Sequence, residues 1–547
     1  MRGSILGAAV AVVVVGFASS ASAQKLLQEA DLEYLGSFRL PTGDHGTDHF
    51  DYSSGFVAGN VYYDAARGNQ PTLFVSGYLS AGYVSSTPSL AQISIPGLAD
   101  PNTVGLDGLQ TATILQGFAD PSDGKAPLSG NGFCSYVVYQ GSLIGACSVA
   151  YDASGSQPAA AFVNGSLDFA KPSVSGPYPV GNVSQTLFGS YMTLVPPEWQ
   201  SALGAPVVAG NGPWSIISVN SAGPGLHTLD ADALIAKPAA GTTIASKPLA
   251  YYPCTSGDTS DQANCHQTLG AWDSNLPTQT WNGTPVPTVD VVDPQNRSGL
   301  PVGSGGPNWT IPYNDSSMRI LGALFADGTR SVLFFGKKGL GPYCYGPGTS
   351  DPSLVGKPAP GGVDDWCFDP DSDGKGDHAY PYSYFVWAYD VNDYVAVLSG
   401  SKKPWEVAPY TGWTFTQFGD AGQLGGVAWD PSTRRMYLVA PGADAPNYQP
   451  LVHVYSVSGE TSDAGTGGGS STDGGAPGGA GGGTGATAGN AGTSGSGGSS
   501  ASPSSDDSGC GCKLAPTRAP SSLWLLALSA LVGLASFRRR SGVRLEG

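Results

Sequence analysis

Tyr63-Asp64-Ala65-Ala66-Arg67-Gly68-Asn69-Gln70-Pro71-Thr72-Leu73-Phe74-Val75 reads as a hairpin. A strand ends on an aromatic residue and Asp, a polar stretch containing Gly and Asn turns the chain, and an apolar run returns. The same order recurs. Tyr151-Asp152-Ala153 is followed by Gln157-Pro158 and Phe162-Val163; Phe325-Ala326-Asp327-Gly328 leads into residues 332–335; Trp429-Asp430-Pro431 leads into residues 436–439. Short runs rich in Val, Tyr, Phe, Trp and Ile, bounded by Gly, Pro, Asn and Asp, lie at residues 60–64, 73–78, 91–95, 215–219, 331–335 and 384–389, with no helical periodicity between them. Strand-turn-strand units separated by variable loops predict an all-β head, a β-propeller of five to seven blades with long loop insertions. Residues 452–457 would then close the ring against material from residues 24–40. A set of β-sandwich domains shows the same alternation and is the alternative fold.

Outward from the head, composition changes sharply. Arg2, an apolar run at residues 5–17 and Ala21-Ser22-Ala23 have the three-part layout of a secretory signal peptide, so residues 1–23 are expected to be removed before Gln24. Residues 24–458 form the β-rich head, long enough to bury a substantial core. Residues 459–508 are Gly, Ser, Ala, Thr and Asp with hardly a large apolar side chain, which cannot offset the entropy of folding. They read as a disordered stalk with a root-mean-square reach of about 40 Å.

Residues 509–547 hold Gly509-Cys510-Gly511-Cys512, an apolar run at residues 523–537 and Arg538-Arg539-Arg540. As a helix the apolar run rises about 22 Å, short for a bilayer core of about 30 Å, and the arginines would stay on the cytoplasmic side. Cysteines, apolar helix and arginines in this order resemble the MYXO-CTERM sorting signal of myxobacterial surface proteins. The resemblance implies processing or modification at Cys510 or Cys512, export and C-terminal sorting machinery as partners, and attachment to the membrane through the C-terminal helix. The place of work it implies is the cell surface or outer envelope, with release after processing as a variant. An ordinary permanent tail anchor is the alternative.

The head carries 36 Asp+Glu against 18 Lys+Arg. That balance is the reverse of a nucleic-acid binder and favours cations as small partners. Six head cysteines fall in neighbouring pairs, Cys134 with Cys147, Cys254 with Cys265, and Cys344 with Cys367, which in an exported chain read as local disulfides; sequence alone permits fifteen connectivities. The densest carboxylate motif is Asp369-Pro370-Asp371-Ser372-Asp373-Gly374-Lys375-Gly376-Asp377-His378. Asp369, Asp371 and Asp373 at alternate positions, Gly374 at the turn, the Lys375 carbonyl and Asp377 match the first half of a calcium-binding loop. Tyr380 stands where the familiar loop has a bidentate Glu, so the expected Ca²⁺ is structural, with Asp364 and Asp365 as additional oxygen donors and Cys367 stapling the loop to Cys344.

A second cluster, Asp44-His45-Gly46-Thr47-Asp48-His49-Phe50-Asp51, groups imidazoles and carboxylates suited to a transition metal or to acid-base work, although the same residue types are ordinary in loops. The head contains no His-Glu-x-x-His, no convincing nucleophile elbow, no phosphate loop and no dinucleotide fingerprint. Its tryptophans, among them Trp272, Trp281, Trp309, Trp366, Trp387 and Trp413, are candidates for sugar platforms or for core filling. Two function classes follow. One is a surface-anchored binding or adhesion module for polysaccharide or another cell-surface ligand, with calcium as a structural ion. The other is an exported carbohydrate-active hydrolase or lyase whose carboxylates and histidines sit on propeller loops.

Overall fold

The computed structural model describes residues 24–459 except 81–87, 127–131, 150–156, 186–187, 213–219, 222–223, 252, 255–279, 282–283, 286–318, 340–343, 352, 362–364, 371, 379, 381, 415–423 and 446–447. The expected signal peptide, most of the stalk, and the tail with Cys510 and Cys512 lie outside the described residues, as do Cys265, Asp371, Trp272 and Trp309. Within residues 24–459 the strands form five four-stranded antiparallel sheets, which we number as blades 1 to 5 in chain order.

Each blade starts at the centre of the ring and works outward. The inner strands are Tyr62–Asp64, Gly132–Tyr139, Tyr191–Leu194, Arg319–Phe325 and Val427–Asp430. Neighbouring inner strands touch, and Asn60 bridges to Trp429 to join blade 1 to blade 5. Blade 5 takes its outermost strand from the other end of the chain: Leu32–Arg39 pairs antiparallel with Gln449–Val457. The ring is thus closed by the N-terminal segment against the strand expected from residues 452–457.

Period-two alternation explains why the blades pack as a ring and not as sandwich layers. In the second strand of blade 1, Leu73 and Val75 turn toward Tyr437 and Val452 of blade 5, while Phe74 between them turns toward Tyr136 and Phe162 of blade 2. Ile144 and Val207 pack blade 2 on blade 3, Tyr191 and Phe334 pack blade 3 on blade 4, and Leu333 and Met436 pack blade 4 on blade 5. Five interblade cores join five blades, which corrects the sandwich alternative: both faces of each sheet are buried, each against a different neighbour.

The repeated Asp residues have a local task. Asp64 and Asp430 end inner strands, and their carboxylates accept hydrogen bonds from the backbone amides of Ala66 and Ser432, respectively, at 2.9 and 3.0 Å. The unit near Tyr151 departs from the pattern: its return segment, Pro158–Asn164, is the third strand of blade 2. Blade 2 instead makes its inner hairpin through Gln140 and Gly141, both at positive φ, a two-residue turn that suits antiparallel strands. Short helices interrupt the β pattern, the longest among the described residues being Pro197–Leu203 and Val391–Leu398. At seven and eight residues they are too brief for a 3.6-residue period to register.

Strand direction divides the ring into two faces. On one, which we call the loop face, lie the connections between blades and those between second and third strands. On the other, the exit face, lie the hairpins from first to second strand and both ends of the head. Lys25 and Ser458 meet there around Asp31, whose backbone carbonyl accepts from Ser458 N at 2.9 Å. Cys134 and Cys147 face each other across the first hairpin of blade 2 and form a disulfide. Cys367 is also disulfide-bonded, its partner's side chain lying outside the described residues.

Candidate functional site

The loop face at the junction of blades 5 and 1 gathers four aromatic rings. Tyr52 lies between the closing strand of blade 5 and the inner strand of blade 1, Tyr78 follows the second strand of blade 1, and Tyr448 precedes the third strand of blade 5. His49 stacks on Tyr78 with ring centroids 5.1 Å apart and planes 14° from parallel. Tyr78 meets Tyr52 edge-on at 6.5 Å, and Tyr52 stacks on Tyr448 at 5.0 Å and 16°. Tyr52 is 57% exposed and Tyr448 50%.

Both exposed tyrosines sit in the left-handed backbone region, at φ 59° and 53°. A bulky residue there is disfavoured by roughly 1 kcal/mol or more, and such residues cluster at functional sites. The surroundings hold them in place. Tyr52 N donates to Tyr448 O at 2.7 Å, and the buried amide of Gln449 donates from Nε2 to Asp51 Oδ1 at 2.8 Å, tying the two loops together. Phe50 is fully buried edge-on against Phe118 at 4.7 Å, which anchors the Tyr52 loop in the core between blades.

The cluster expected to ligate or catalyse supplies the frame of this row. Asp48 is buried, and its carboxylate accepts from the backbone amides of His49 at 2.9 Å and Leu79 at 3.0 Å. It therefore clamps the 44–51 loop to the turn that carries Tyr78. Gly77 is required there, because a Cβ at that position would stand 2.1 Å from Asp48 Oδ2. His45 contributes through its backbone, donating to Asp48 O and accepting from Phe118 N. Asp44 is exposed.

The expected calcium segment lies on the same face, in a long insertion between the second and third strands of blade 4. It folds as a small three-stranded sheet of Cys344–Thr349, Cys367–Phe368 and Lys375–His378. Asp369 is buried, and its Oδ2 accepts from Tyr382 Oη at 2.8 Å and lies 2.8 Å from His378 Nδ1. The other ring nitrogen of His378 faces the carbonyls of Gly346 and Gly374 at 3.1 and 3.0 Å. Asp373 and Lys375 are exposed, and the side chains of Asp371 and Asp377 lie outside the described residues. Among the described residues no three His, Cys, Asp or Glu side chains converge on a metal position. Asp369 is accordingly brought together with His378 and Tyr382; no hydrogen bond joins this group to Asp48 or His49 among the described residues.

The tryptophans whose side chains are described do not form the platform. Trp387 and Trp413 are buried between blades, and Trp366 is half-buried in the blade 4 insertion. The exposed rings on this face are tyrosines instead; their sequence signal was their setting in polar loop segments, Phe50-Asp51-Tyr52-Ser53, directly after the 44–51 cluster, and Ala445-Pro446-Asn447-Tyr448.

No protein-family model and no curated protein matches the chain. Among solved structures it is similar to an exo-1,5-α-L-arabinanase from a bovine ruminal metagenomic library, at 13% identity over 76% of this chain and 94% of that chain, with a TM-score of 0.31. The propeller assignment rests on the five sheets and the five cores between them.

Proposed function

We propose that the head is a surface-displayed binding module whose loop face takes up polysaccharide or another ring-bearing cell-surface ligand. The observation that carries this reading is the row His49, Tyr78, Tyr52 and Tyr448, with the Tyr52 and Tyr448 rings exposed and held in strained backbone. Tyrosine provides large, rigid contact area with little side-chain entropy to lose, and its ring face covers the C–H face of a sugar. Display fits as well. The chain leaves the head at Ser458 on the exit face, opposite the tyrosine row.

Binding is favoured over hydrolysis because the buried carboxylate nearest the row, Asp48, is already engaged by two backbone amides. A glycan array and a soluble-polysaccharide panel probed with the full chain test the proposal. Retention on at least one glycan, lost in Tyr52→Ala and Tyr448→Ala, supports it. Release of shortened product without retention would move the protein to the hydrolase class.

A further inference from the structure

On the exit face, opposite the tyrosine row, the ends of the inner strands enclose a cavity of about 350 Å³. All five blades contribute to its wall, with Tyr63, Tyr139, Leu194, Phe325 and Trp429 coming from blades 1 to 5 in turn. That volume suits a small ligand, and the lining is mostly apolar or aromatic, as in ordinary small-molecule sites.

The polar groups of the wall are unequal. Asp430 is saturated: Oδ2 accepts from Tyr63 Oη at 2.8 Å and Thr433 Oγ1 at 2.6 Å, and Oδ1 from Ser432 N and Oγ at 3.0 and 2.7 Å. The Tyr139 hydroxyl donates to Asp232 at 2.8 Å, which leaves its ring to the cavity. Asp327 differs. Its Oδ2 accepts from Trp429 Nε1 at 2.7 Å, and its Oδ1 has no donor among the described residues. Gln200 donates from Nε2 to Val195 O at 2.9 Å, and its Oε1 likewise has no donor among the described residues.

The wall thus offers acceptors beside indole and phenol rings, two carboxylates, and no Lys, Arg or His. Arg434 is the nearby cation outside the wall. Its guanidinium lies over Trp429, 5.7 Å from the ring, and donates to the backbone carbonyls of Asp327 and Val457, not to the Asp327 carboxylate. Carboxylates and aromatic faces together select a positive group, and the acidic surface of the head draws cations toward it.

We propose that this cavity binds a small organic cation, an ammonium group carried on an apolar body. The ammonium donates to Asp327 Oδ1 and Gln200 Oε1, and the body packs on Leu194, Phe325 and the Trp429 ring. The site is separate from the tyrosine row and does not depend on it.

Isothermal titration of the full chain with phenethylammonium, 2-phenylethanol and phenylacetate, which share one apolar body, tests the assignment. The ammonium is expected to bind at least about tenfold more tightly than the alcohol, and phenylacetate more weakly still. Asp327→Asn keeps the size of the side chain and an oxygen for Trp429, so it should cost the ammonium about tenfold and leave the alcohol unchanged. Leu194→Trp fills the space and should abolish binding of all three, with near-ultraviolet circular dichroism confirming the fold. Equal affinity for the three probes, no heat from any of them, or an Asp327→Asn variant that still prefers the ammonium would overturn the proposal.

Discussion

The two faces of the ring are built from the same five sheets and differ in nearly everything else. The exit face carries the first-to-second-strand connections, two of them capped by Asp64 and Asp430, together with the third-to-fourth-strand connections and both ends of the head, and is concave at its centre. The loop face carries the long insertion of blade 4 and the joint between blades 5 and 1, and there aromatic rings project outward on strained backbone. Tight turns between adjacent strands are fixed by their own hydrogen bonds, whereas connections free to vary in length are where binding residues accumulate. In keeping with this contrast, a small ligand is proposed for one face and an extended one for the other.

The largest expected effect removes the ground common to both faces. Phe38, on the strand that closes blade 5, is fully buried in the core between blades 5 and 1. Phe38→Ala should cost about 3–5 kcal/mol in denaturant unfolding and weaken ligand uptake on both faces at once. Retention of either activity in the unfolding range would show that the faces do not share one cooperative ring.

Acid is the next way to strike the ring. Burial lowers the pKa of His227 to about 4 and of His453 to about 3. Unfolded histidine has a pKa near 6.5, so below that value the unfolded chain takes up protons that the buried rings refuse. Stability contributed by these rings is fully present above about pH 6.5 and is lost as pH falls toward 4 and 3. From pH 7 to 5 the loss is about 2 kcal/mol for each ring. His227→Leu should remove about half of that dependence, measured as the denaturation midpoint against pH; an unchanged slope would mean that His227 is not held neutral.

The two faces also differ in how much of them the sequence discloses. Hairpins of the exit face were legible because an aromatic residue, Asp and a polar turn are contiguous in the chain, and the closure by residues 24–40 followed from a strand left over at the C-terminal end. Blades 2 and 3 were hidden, since blade 2 turns through Gln140-Gly141 and blade 3 through the helix Pro197–Leu203, neither with the capping Asp. The tyrosine row could not be assembled from the sequence. Tyr52, Tyr78 and Tyr448 are far apart in sequence and meet only after the ring closes, and a positive φ at a tyrosine leaves no mark in composition. Asp48 was singled out for its chemistry, yet its neighbours turn it into a clamp.

The tyrosine row should separate binding from stability. Replacing Tyr52 and Tyr448 by Gly relieves the left-handed backbone but loses their stacking, two contributions of about 1 kcal/mol each with opposite sign. The unfolding midpoint should therefore move little, while affinity for a retained glycan falls at least about tenfold, as expected when aromatic anchors are truncated. A fall in stability alone would reassign the row to holding the two loops together. Phenethylammonium binding on the exit face is expected to stay unchanged in this variant.

Calcium is the finest probe, because it would touch only the blade 4 insertion. Asp369 Oδ2 already accepts from Tyr382 and faces His378, so a bound ion would have to share Asp369 with them and draw chiefly on the carboxylates of Asp371, Asp373 and Asp377 and the Lys375 carbonyl. A site with one ligand shared in this way belongs with weak extracellular calcium sites of millimolar affinity. At ten times the dissociation constant it stabilises the head by about 1.4 kcal/mol, a rise of about 2 °C in a domain of this size. Thermal scans of the full chain in calcium and in chelator should show that rise, and Asp373→Asn should erase it. Identical scans would leave Asp369 as an internal strut between His378 and Tyr382, with the small sheet of the insertion held by its own hydrogen bonds and the disulfide at Cys367.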